Sequence, residues 1–456
     1  MILKKQAYVR TFGCQQNVAD SERIKSILLD SGYELTETAE NSDIIFFNTC
    51  AVRENAENRV FGHLGELGRL KVKNKNLIIC LCGCMANEET VIRKIKSSYS
   101  FVDLIFGPEK ICDLKDLLND LTKSENDFDS GKLSNENEKC EELGGEKDEY
   151  DIPNYRENKF KAFVPIMSGC NNFCSYCIVP YVRGREKSRS PQSVITEVKS
   201  LADKNYKEIM LLGQNVNSYV GDSREYNFTS LLKSINELTG NFRIRFMSSH
   251  PKDATKELID TILSCDKICK SLHLPIQSGS NSVLDRMNRR YTTEKYLEII
   301  DYARSLKPNF SFTSDIIVGF PNETEEEFQS TLDLIKRVRF NNLYTFIYSR
   351  RSGTVAAEIA DKIPEEEKSR RMTRLWDIQK MIIEENYREF IGKTLTVLAE
   401  EVNKKGYISG RSDENVIVEF EKGDNSPENI ISKFVNVKIK KARNWAVYGE
   451  IENVNQ

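Results

Sequence analysis

Three short apolar runs near the start of the chain each close on a cysteine: "QAYVRTFGC", "SDIIFFNTC" and "NLIICLCGC". Stretches of helical length, such as "DSERIKSILLDSG", separate them. Strands alternating with helices of this length build a parallel sheet with crossover helices. In an open sheet of that kind, ligands bind in the crevice beyond the carboxyl ends of the strands. The pattern therefore predicts that Cys14, Cys50 and Cys84 meet at one edge, although they lie far apart in the sequence.

The alternation resumes further on. "FVPIMS", "EIMLLGQN", "FRIRFMSS", "SLHLPIQS", "FSFTSDIIVGF" and "NLYTFIYS" are six strand candidates with helices between them. Six such units fit a full or partial (β/α) barrel better than a flat sheet, with the site at the strand carboxyl ends. "PEEEKSRRMTRLWDIQKMIIEENYREFIG" reads as a long amphipathic connecting helix. After it, "KTLTVLAEEV", "GYISGRS", "ENVIVEF", "FVNVKIKKAR" and "NWAVYGEIE" alternate as short strands and predict a small all-β barrel. Residues 123–151 hold eleven Asp or Glu against four Lys with almost nothing apolar, the composition of a disordered acidic linker. The expected organisation is an open parallel α/β domain at 1–122, the linker at 123–158, a barrel core at 159–388 and the terminal β-barrel at 389–456.

A chain of 456 residues with a net charge of −3 is no polycation, so any nucleic-acid surface has to be a local patch. No apolar run is long enough to span a bilayer, and "MILKKQAYVRTFGC" lacks the apolar core of a signal peptide. A cytoplasmic location is expected. In a reducing compartment clustered cysteines are more often metal ligands or catalytic groups than disulfides, which bears on the twelve present here. Cys112, Cys140, Cys265 and Cys269 sit in contexts without a site signature and read as free thiols.

Chemistry concentrates in "SGCNNFCSYCIVPYVRGREKSRSP", where Cys170, Cys174 and Cys177 have the spacing C-x3-C-x2-C. Soft thiolates select zinc, copper(I) or iron–sulfur clusters. Three thiolates can leave the fourth iron of a [4Fe–4S] cluster open for a substrate or cofactor. A zinc finger would instead recruit a fourth Cys or His, and the histidines are His63, His250 and His273. Tyr176 stands where an aromatic ring would shield the cluster or pack on a nucleoside. Arg183, Arg185, Lys187 and Arg189 alternate after Pro180. In an extended segment they would point to one side as a phosphate clamp; a solvated loop with ion pairs is the rival reading. Lys438, Lys440, Lys441 and Arg443 on one late strand form either a phosphate-binding face or an edge guarded by charge.

"GCNNFCSYC" resembles the radical S-adenosylmethionine signature, and "TFGCQQNVADSE", "NTCAVRENAENR" and "CGCMA" resemble the three cysteine motifs of the methylthiotransferase family within that superfamily. The terminal barrel resembles the TRAM domain, an RNA-binding module. The resemblance, which runs along nearly the whole chain, implies two [4Fe–4S] clusters. One, on Cys170, Cys174 and Cys177, binds S-adenosylmethionine through its open iron and yields a 5′-deoxyadenosyl radical. The other, on Cys14, Cys50 and Cys84, carries or donates sulfur. Cys80 and Cys82 match no ligand position and read as structural. The strand ends holding Gly213, Gln214 and Asn215, then Gln277 and Ser278, then Asp315 and Gly319, align with the superfamily's cofactor-binding strands. Gly-Gln-Asn here replaces the Gly-Gly-Glu of many members.

"NTCAVRENAENRVFGHLG" and "YCIVPYVRGREKSRSP" look most like the branch that makes 2-methylthio-N6-dimethylallyladenosine in tRNA. That branch inserts a methylthio group at carbon 2 of an isopentenylated adenosine beside the anticodon. Its siblings act on threonylcarbamoyladenosine in tRNA and on a ribosomal-protein aspartate. The reading from another class is a non-catalytic, metal-stapled RNA-binding protein. The implied partners are the tRNA anticodon loop and an electron donor such as a flavodoxin or ferredoxin, and a monomer is expected. Arg183, Arg185, Lys438, Lys440, Lys441 and Arg443 are the expected RNA contacts.

Overall fold

The computed structural model describes residues 4–51, 54–124, 155–423, 426–443 and 445–454. Most of the acidic stretch, Cys140 included, lies outside the described residues, as do the side chains of 52–58 in "AVRENAENR". The chain divides into two compact units: Met1–Glu157 with Val179–Ser193, and Asn158–Ile178 with Val194–Gln456. Among the described residues no helix is long and apolar enough to cross a membrane.

The first unit is built on a parallel sheet of β1 (Gln6–Phe12), β2 (Glu34–Leu35), β3 (Ile44–Thr49), β4 (Ile78–Gly83) and β5 (Leu104–Phe106), in the order β2-β1-β3-β4-β5. Every residue of β3 and β4 is buried, as a central parallel strand covered on both faces must be. Alternation sorts their side chains. Ile44, Phe46, Ile78, Cys80 and Cys82 pack with Ile24 and Leu28 of α1 (Gln15–Asp30) and with Leu114 and Leu118 of α4 (Leu114–Ser124). Ile45, Phe47, Ile79 and Leu81 pack with Val60 and Leu64 of α2 (Glu54–Lys73) and with Val91 and Ile95 of α3 (Glu89–Ser98). Cys80 and Cys82 are thus core thiols, and burial pushes both far up, away from the thiolate form.

After residue 155 the chain forms β6 (Lys161–Pro165) and β7 (Met167–Ser168), then α5 (Val179–Val182) and β8 (Lys187–Ser188) within the part of the first unit at Val179–Ser193. The second unit continues with α6 (Pro191–Asp203), β9 (Glu208–Leu212), α7 (Phe228–Asn236), β10 (Arg243–Phe246), α8 (Lys256–Ser264), β11 (Ser271–His273), α9 (Asn281–Arg286), α10 (Thr293–Leu306), β12 (Ser311–Val318), α11 (Glu325–Val338) and β13 (Asn342–Ile347). Strands β6, β9 and β10 pair in parallel, as do β11, β12 and β13. A parallel bridge from Ile244 to Ile268, just before β11, joins the halves into an open six-stranded barrel. Helices α7, α8, α10 and α11 start on side-chain caps from Asn227, Thr255, Thr292 and Thr324. In α11, Thr324 and Glu327 form a reciprocal capping box, with acids in the first turn and Lys336 and Arg337 in the last.

Helix α12 (Glu365–Arg388) leads into a closed barrel of β14 (Thr394–Val402), β15 (Ile408–Ser412), β16 (Ile417–Phe420), β17 (Phe434–Arg443) and β18 (Ala446–Val454). This barrel is latched to the amino ends of the larger barrel's strands. Glu208 accepts hydrogen bonds of 2.8 Å from Arg243 and from Arg245, and these arginines donate onward to the carbonyls of Arg411 (2.8 Å) and Ser412 (2.5 Å). Lys161, first residue of β6, pairs with Glu400 of β14 at 2.7 Å.

Burial alone would raise the Glu208 carboxyl, but Arg245 and Arg243 outweigh it and bring it from its ordinary 4.5 to about 2. A depressed carboxyl stabilises the latch fully above its ordinary value and loses that contribution as pH falls from there towards the lowered one. Removing one partner of a buried ion pair costs about 3–5 kcal/mol. Glu208→Gln is therefore expected to expose the 389–393 connection to protease at neutral pH, and the unsubstituted protein to do so only on acidification below about pH 4. Limited proteolysis across a pH series checks both.

Candidate functional site

In the first unit, Phe12 of β1 sits opposite Thr49 of β3, and Thr49 opposite Gly83 of β4. The three neighbouring strands thus end level, and Cys14, Cys50 and Cys84 follow directly. Cys14 is the N-cap of α1, and Cys84 opens a 3₁₀ turn, Cys84–Asn87. The turn depends on Gly83, whose φ is +92° and where a Cβ would lie 2.3 Å from Asn48 Oδ1. The polar residues around the cysteines tie the strand ends together. Asn17 is fully buried; its amide donates to Asn48 Oδ1 (3.0 Å) and to the Thr49 carbonyl (3.2 Å), while its Oδ1 accepts from Cys14 N (3.2 Å) and Cys14 Sγ (3.3 Å). Asn48 returns a bond to the Asn17 carbonyl at 2.8 Å.

A hydrogen bond with Cys50 draws the Cys14 thiol down to about 6 against its burial, helped by the backbone N–H groups of Asn17 and Gln16 and by Arg183. Burial raises Cys84, and Arg183 offsets this. The Arg183 side chain is 4% exposed; its Nε donates to Cys84 Sγ at 3.0 Å and its Nη2 to Asp20 Oδ2 at 2.6 Å. Three thiols at level strand ends, one drawn towards thiolate and a guanidinium beside another, are a donor set for soft metal. Among the described residues no three Cys, His, Asp or Glu groups close on one point as the ligands of a single ion do. The thiolates of a cluster each bind a different iron and stand farther apart.

The arginine row departs from the expected single face. Gly184, at φ +73°, turns the chain just after α5 and breaks the alternation. Arg183 and Arg189 point inward, Arg189 bonding Ser193 at 2.8 Å, whereas Arg185 and Lys187 are exposed. Arg183 is therefore committed to Asp20 and Cys84 and is not placed as an RNA-phosphate contact.

In the second unit, Cys170 and Cys174 are buried and Cys177 half-buried, on the loop after β7. The loop is held through its backbone: Ser175 N donates to the Met287 carbonyl (3.0 Å), Ala356 N donates to the Ser175 carbonyl (2.7 Å), and Asn288 donates to the Phe173 carbonyl (2.8 Å). Buried Arg289 donates to Cys174 Sγ and to the Tyr176 hydroxyl, each at 3.4 Å, and to the Pro275 carbonyl at 2.8 Å. The Tyr176 ring packs with Val283, Met287, Phe320 and Ala356, and burial pushes its hydroxyl far up.

The strand-end residues fall into two groups. Gly213 packs against Met167 at the end of β9. Beside it, Gln214 Oε1 and Asn215 Oδ1 are buried without a hydrogen-bond partner among the described residues, although Asn215 Nδ2 holds Asp253 at 2.7 Å. Asn217, which the sequence reading did not name, and Ser249 and His250 of the polar ending "SSHP" add further buried unpartnered polar atoms. The endings "GQNVN" and "SSHP" were the signal available for them. Burial, then Arg289, Lys252 and Arg290, hold His250 neutral by lowering it to about 2. By contrast, the Gln277 backbone closes onto Asp315 and Ile317, the Ser278 hydroxyl onto Thr331 and Ser280, and the Gly319 N–H onto Glu323. Asp315 lies 3.6 Å from His273. The unpartnered atoms after β9 and β10 thus fit a polar ligand, while ordinary strand-end bonding accounts for the described contacts of Gln277, Ser278 and Gly319.

On the terminal barrel a register shift between Ile439 and Lys441 in β17 brings Lys440, Lys441 and Arg443 to one groove of about 380 Å³, shared with Tyr407 and Tyr448. Glu419, Glu421 and Glu450 also line it, and Lys440 pairs with Glu450 at 3.1 Å. Lys438 does not line this groove but sits opposite Thr394 and Glu450 in the sheet.

The sequence matches the Radical SAM superfamily over residues 164–335, the Uncharacterized protein family UPF0004 over 6–107 and the TRAM domain over 388–451. Among solved structures, the radical S-adenosylmethionine methyltransferase TsrM from Kitasatospora setae aligns with a TM-score of 0.56 at 13% identity, covering 77% of this chain and 75% of that one. The cobalamin-dependent S-adenosylmethionine radical enzyme OxsB aligns with a TM-score of 0.51 at 14% identity, covering 83% of this chain and 56% of that one. These likenesses show the shared fold. A tRNA-2-methylthio-N(6)-dimethylallyladenosine synthase from Thermoanaerobacter pseudethanolicus is 48% identical over 450 residues, 98% of this chain and 93% of its own. Proteins of the same name from Clostridium botulinum (45%, covering 97% of this chain and 96% of the relative) and Clostridium beijerinckii (44%, covering 98% and 96%) match similarly. The chain belongs to the family of these tRNA-2-methylthio-N(6)-dimethylallyladenosine synthases, radical SAM proteins that carry a TRAM domain.

Proposed function

We infer that this protein is a radical S-adenosylmethionine transferase that places a methylthio group on carbon 2 of N6-dimethylallyladenosine in tRNA. The observation that carries the reading is end-to-end identity of 44–48% with synthases of that name, over all three matched regions. Two [4Fe–4S] clusters and S-adenosylmethionine are its cofactors. Cys170, Cys174 and Cys177 would hold one cluster, and Cys14, Cys50 and Cys84 the other. When bound, these groups supply one-electron reductive cleavage of S-adenosylmethionine and a sulfur atom for transfer.

The chain's own residues do the positioning. Gln214, Asn215, Asn217, Ser249 and neutral His250 offer their unpartnered atoms to the polar groups of S-adenosylmethionine. Arg289 and Arg183 each direct an N–H at a cysteine sulfur, which stabilises negative charge there. Exposed Arg185 and Lys187, and the groove of Lys440, Lys441 and Arg443 beside Tyr407 and Tyr448, are the contacts we assign to tRNA phosphate and bases. The chemistry further calls for a low-potential electron donor of the flavodoxin or ferredoxin kind. We place the reaction in the cytoplasm and take the working form as a monomer.

Nucleoside mass analysis of tRNA from cells lacking the protein tests the substrate. The expected result is loss of the methylthiolated nucleoside with accumulation of its N6-dimethylallyladenosine precursor. An unchanged profile there, with loss at threonylcarbamoyladenosine or at a ribosomal-protein aspartate, would overturn the assignment in favour of a sibling substrate.

A further inference from the structure

The last strand of the larger barrel carries two aromatic rings that the fold itself does not bury. On β13, Leu343 and Ile347 pack on the barrel's outer apolar core, and Thr345 accepts a hydrogen bond of 2.7 Å from Trp376 of α12. Strand alternation turns Tyr344 and Phe346 to the opposite face, the lumen. There they remain 39% and 43% exposed. Their partners across β12 are Asp315 beside Tyr344 and Ile317 beside Phe346. From β11, His273 meets the Tyr344 ring edge-on at 5.7 Å; its Nδ1 is 2.9 Å from Thr313 Oγ1 and its Nε2 3.6 Å from Asp315 Oδ1.

This surface is continuous with the cysteine loop. Ile317 packs in the same small core as Tyr176, the residue before Cys177. Phe346 is therefore one strand away from the contact that seats the loop, at the carboxyl end where barrel chemistry takes place. A lumen lined only by polar groups would serve an unmodified base as well as a prenylated one. Exposed apolar area beside the site gains free energy only from an apolar ligand group.

We propose that Tyr344 and Phe346 form the platform that receives the prenylated adenine, the rings taking the flat base and its branched five-carbon chain, with the His273–Asp315 pair at its polar edge. The proposal rests on the reading of the chain as a synthase acting on N6-dimethylallyladenosine. A base that leaves its loop to enter an enzyme loses stacking with its neighbours, and aromatic side chains replace that stacking. Two rings on one strand at alternate positions present a continuous apolar strip, suited to a planar base with an aliphatic extension. The polar pair keeps donors and acceptors beside the strip, so that the ring nitrogens or ribose of the extruded nucleotide need not go unpartnered.

The test measures binding rather than turnover. Full-length protein, reconstituted anaerobically with iron and sulfide and supplied with S-adenosylmethionine, is titrated with two labelled anticodon stem–loop RNAs. They differ only in carrying N6-dimethylallyladenosine or plain adenosine at the target position. The unsubstituted protein is expected to bind the prenylated RNA on the order of tenfold more tightly or better. Tyr344→Ala with Phe346→Ala is expected to bind both RNAs alike, at the affinity of the plain one. Phe346→Gln alone, close in size and at an exposed position, should lose most of the preference, and Tyr344→Phe should keep it. A double variant that retains the full preference overturns the platform. If the unsubstituted protein binds both RNAs equally, it is the parent assignment of the substrate that falls.

Discussion

Alanine at Cys170, Cys174 and Cys177 together is expected to abolish reductive cleavage of S-adenosylmethionine, to the detection limit for 5′-deoxyadenosine and methionine. Bound iron is expected to fall from about eight to about four per chain. The reason lies in how the loop is built. Its shape is held by backbone bonds from Ser175 to Met287 and from Ala356 to Ser175 and by the Asn288 side-chain amide on the Phe173 carbonyl, none of which involves a thiol. The substitutions therefore remove the proposed ligands and leave the loop's frame. Arg289 loses its contact with Cys174 but keeps those with Tyr291 (2.9 Å) and Pro275 (2.8 Å), so it is not left buried and unpaired. Circular dichroism and the melting curve of the iron-free protein should match those of the unsubstituted iron-free chain. Persistent cleavage in the triple variant would show that these thiols are not the ligands. Bound zinc in place of iron in the unsubstituted protein would return the chain to the class of metal-stapled RNA binders.

How much of this could be read beforehand depended on the range of the forces involved. The level strand ends of the first unit were legible because apolar runs such as "IIFFNT" and "IICLCG" leave only one burial pattern, and a cysteine directly after each run has one place to go. Cys80 and Cys82 lie in the core because they fall within β4, whereas Cys84 stands past the strand's end at Gly83. Between the two readings of the arginine row, the sequence could not decide, because a backbone angle at Gly184 sets which side chains turn inward and the acid that pairs with Arg183 lies 163 residues back at Asp20. At the barrel mouth, residue type alone did not separate Asn215, with an unpartnered oxygen, from Ser278, whose hydroxyl is satisfied by Thr331 on a later helix. Tyr344 and Phe346 were visible as strand residues, but which face of that strand is the lumen is set by Trp376 on α12, thirty-one residues beyond Thr345.

The complementary substitution is expected to separate sulfur delivery from cofactor cleavage. With alanine at Cys14, Cys50 and Cys84, cleavage of S-adenosylmethionine is expected to continue, uncoupled from product, while methylthiolated nucleoside becomes undetectable and bound iron again falls to about four per chain. The first unit has the means to keep its shape without the thiols. Helix α1 is tied to β3 by the Asn17–Asn48 amides and β3 to β4 by the 2.7 Å bond from Thr49 Oγ1 to the Cys82 carbonyl, and the unit's two apolar cores lie on the sheet faces rather than at its edge. Arg183 would retain Asp20, its charged partner, so that segment Val179–Ser193 stays anchored within the unit. Cys80→Ala with Cys82→Ala is the control: those thiols are buried in the sheet core, and their removal should lower stability by about 1–3 kcal/mol through lost packing yet leave iron content and product intact. If the Cys14, Cys50 and Cys84 variant lost cleavage as completely as the Cys170, Cys174 and Cys177 variant, the two triplets would not have separable tasks. If it kept making product, the sulfur would have to come from elsewhere. Only uncoupled cleavage matches the proposed division of radical source and sulfur source between the two cysteine triplets.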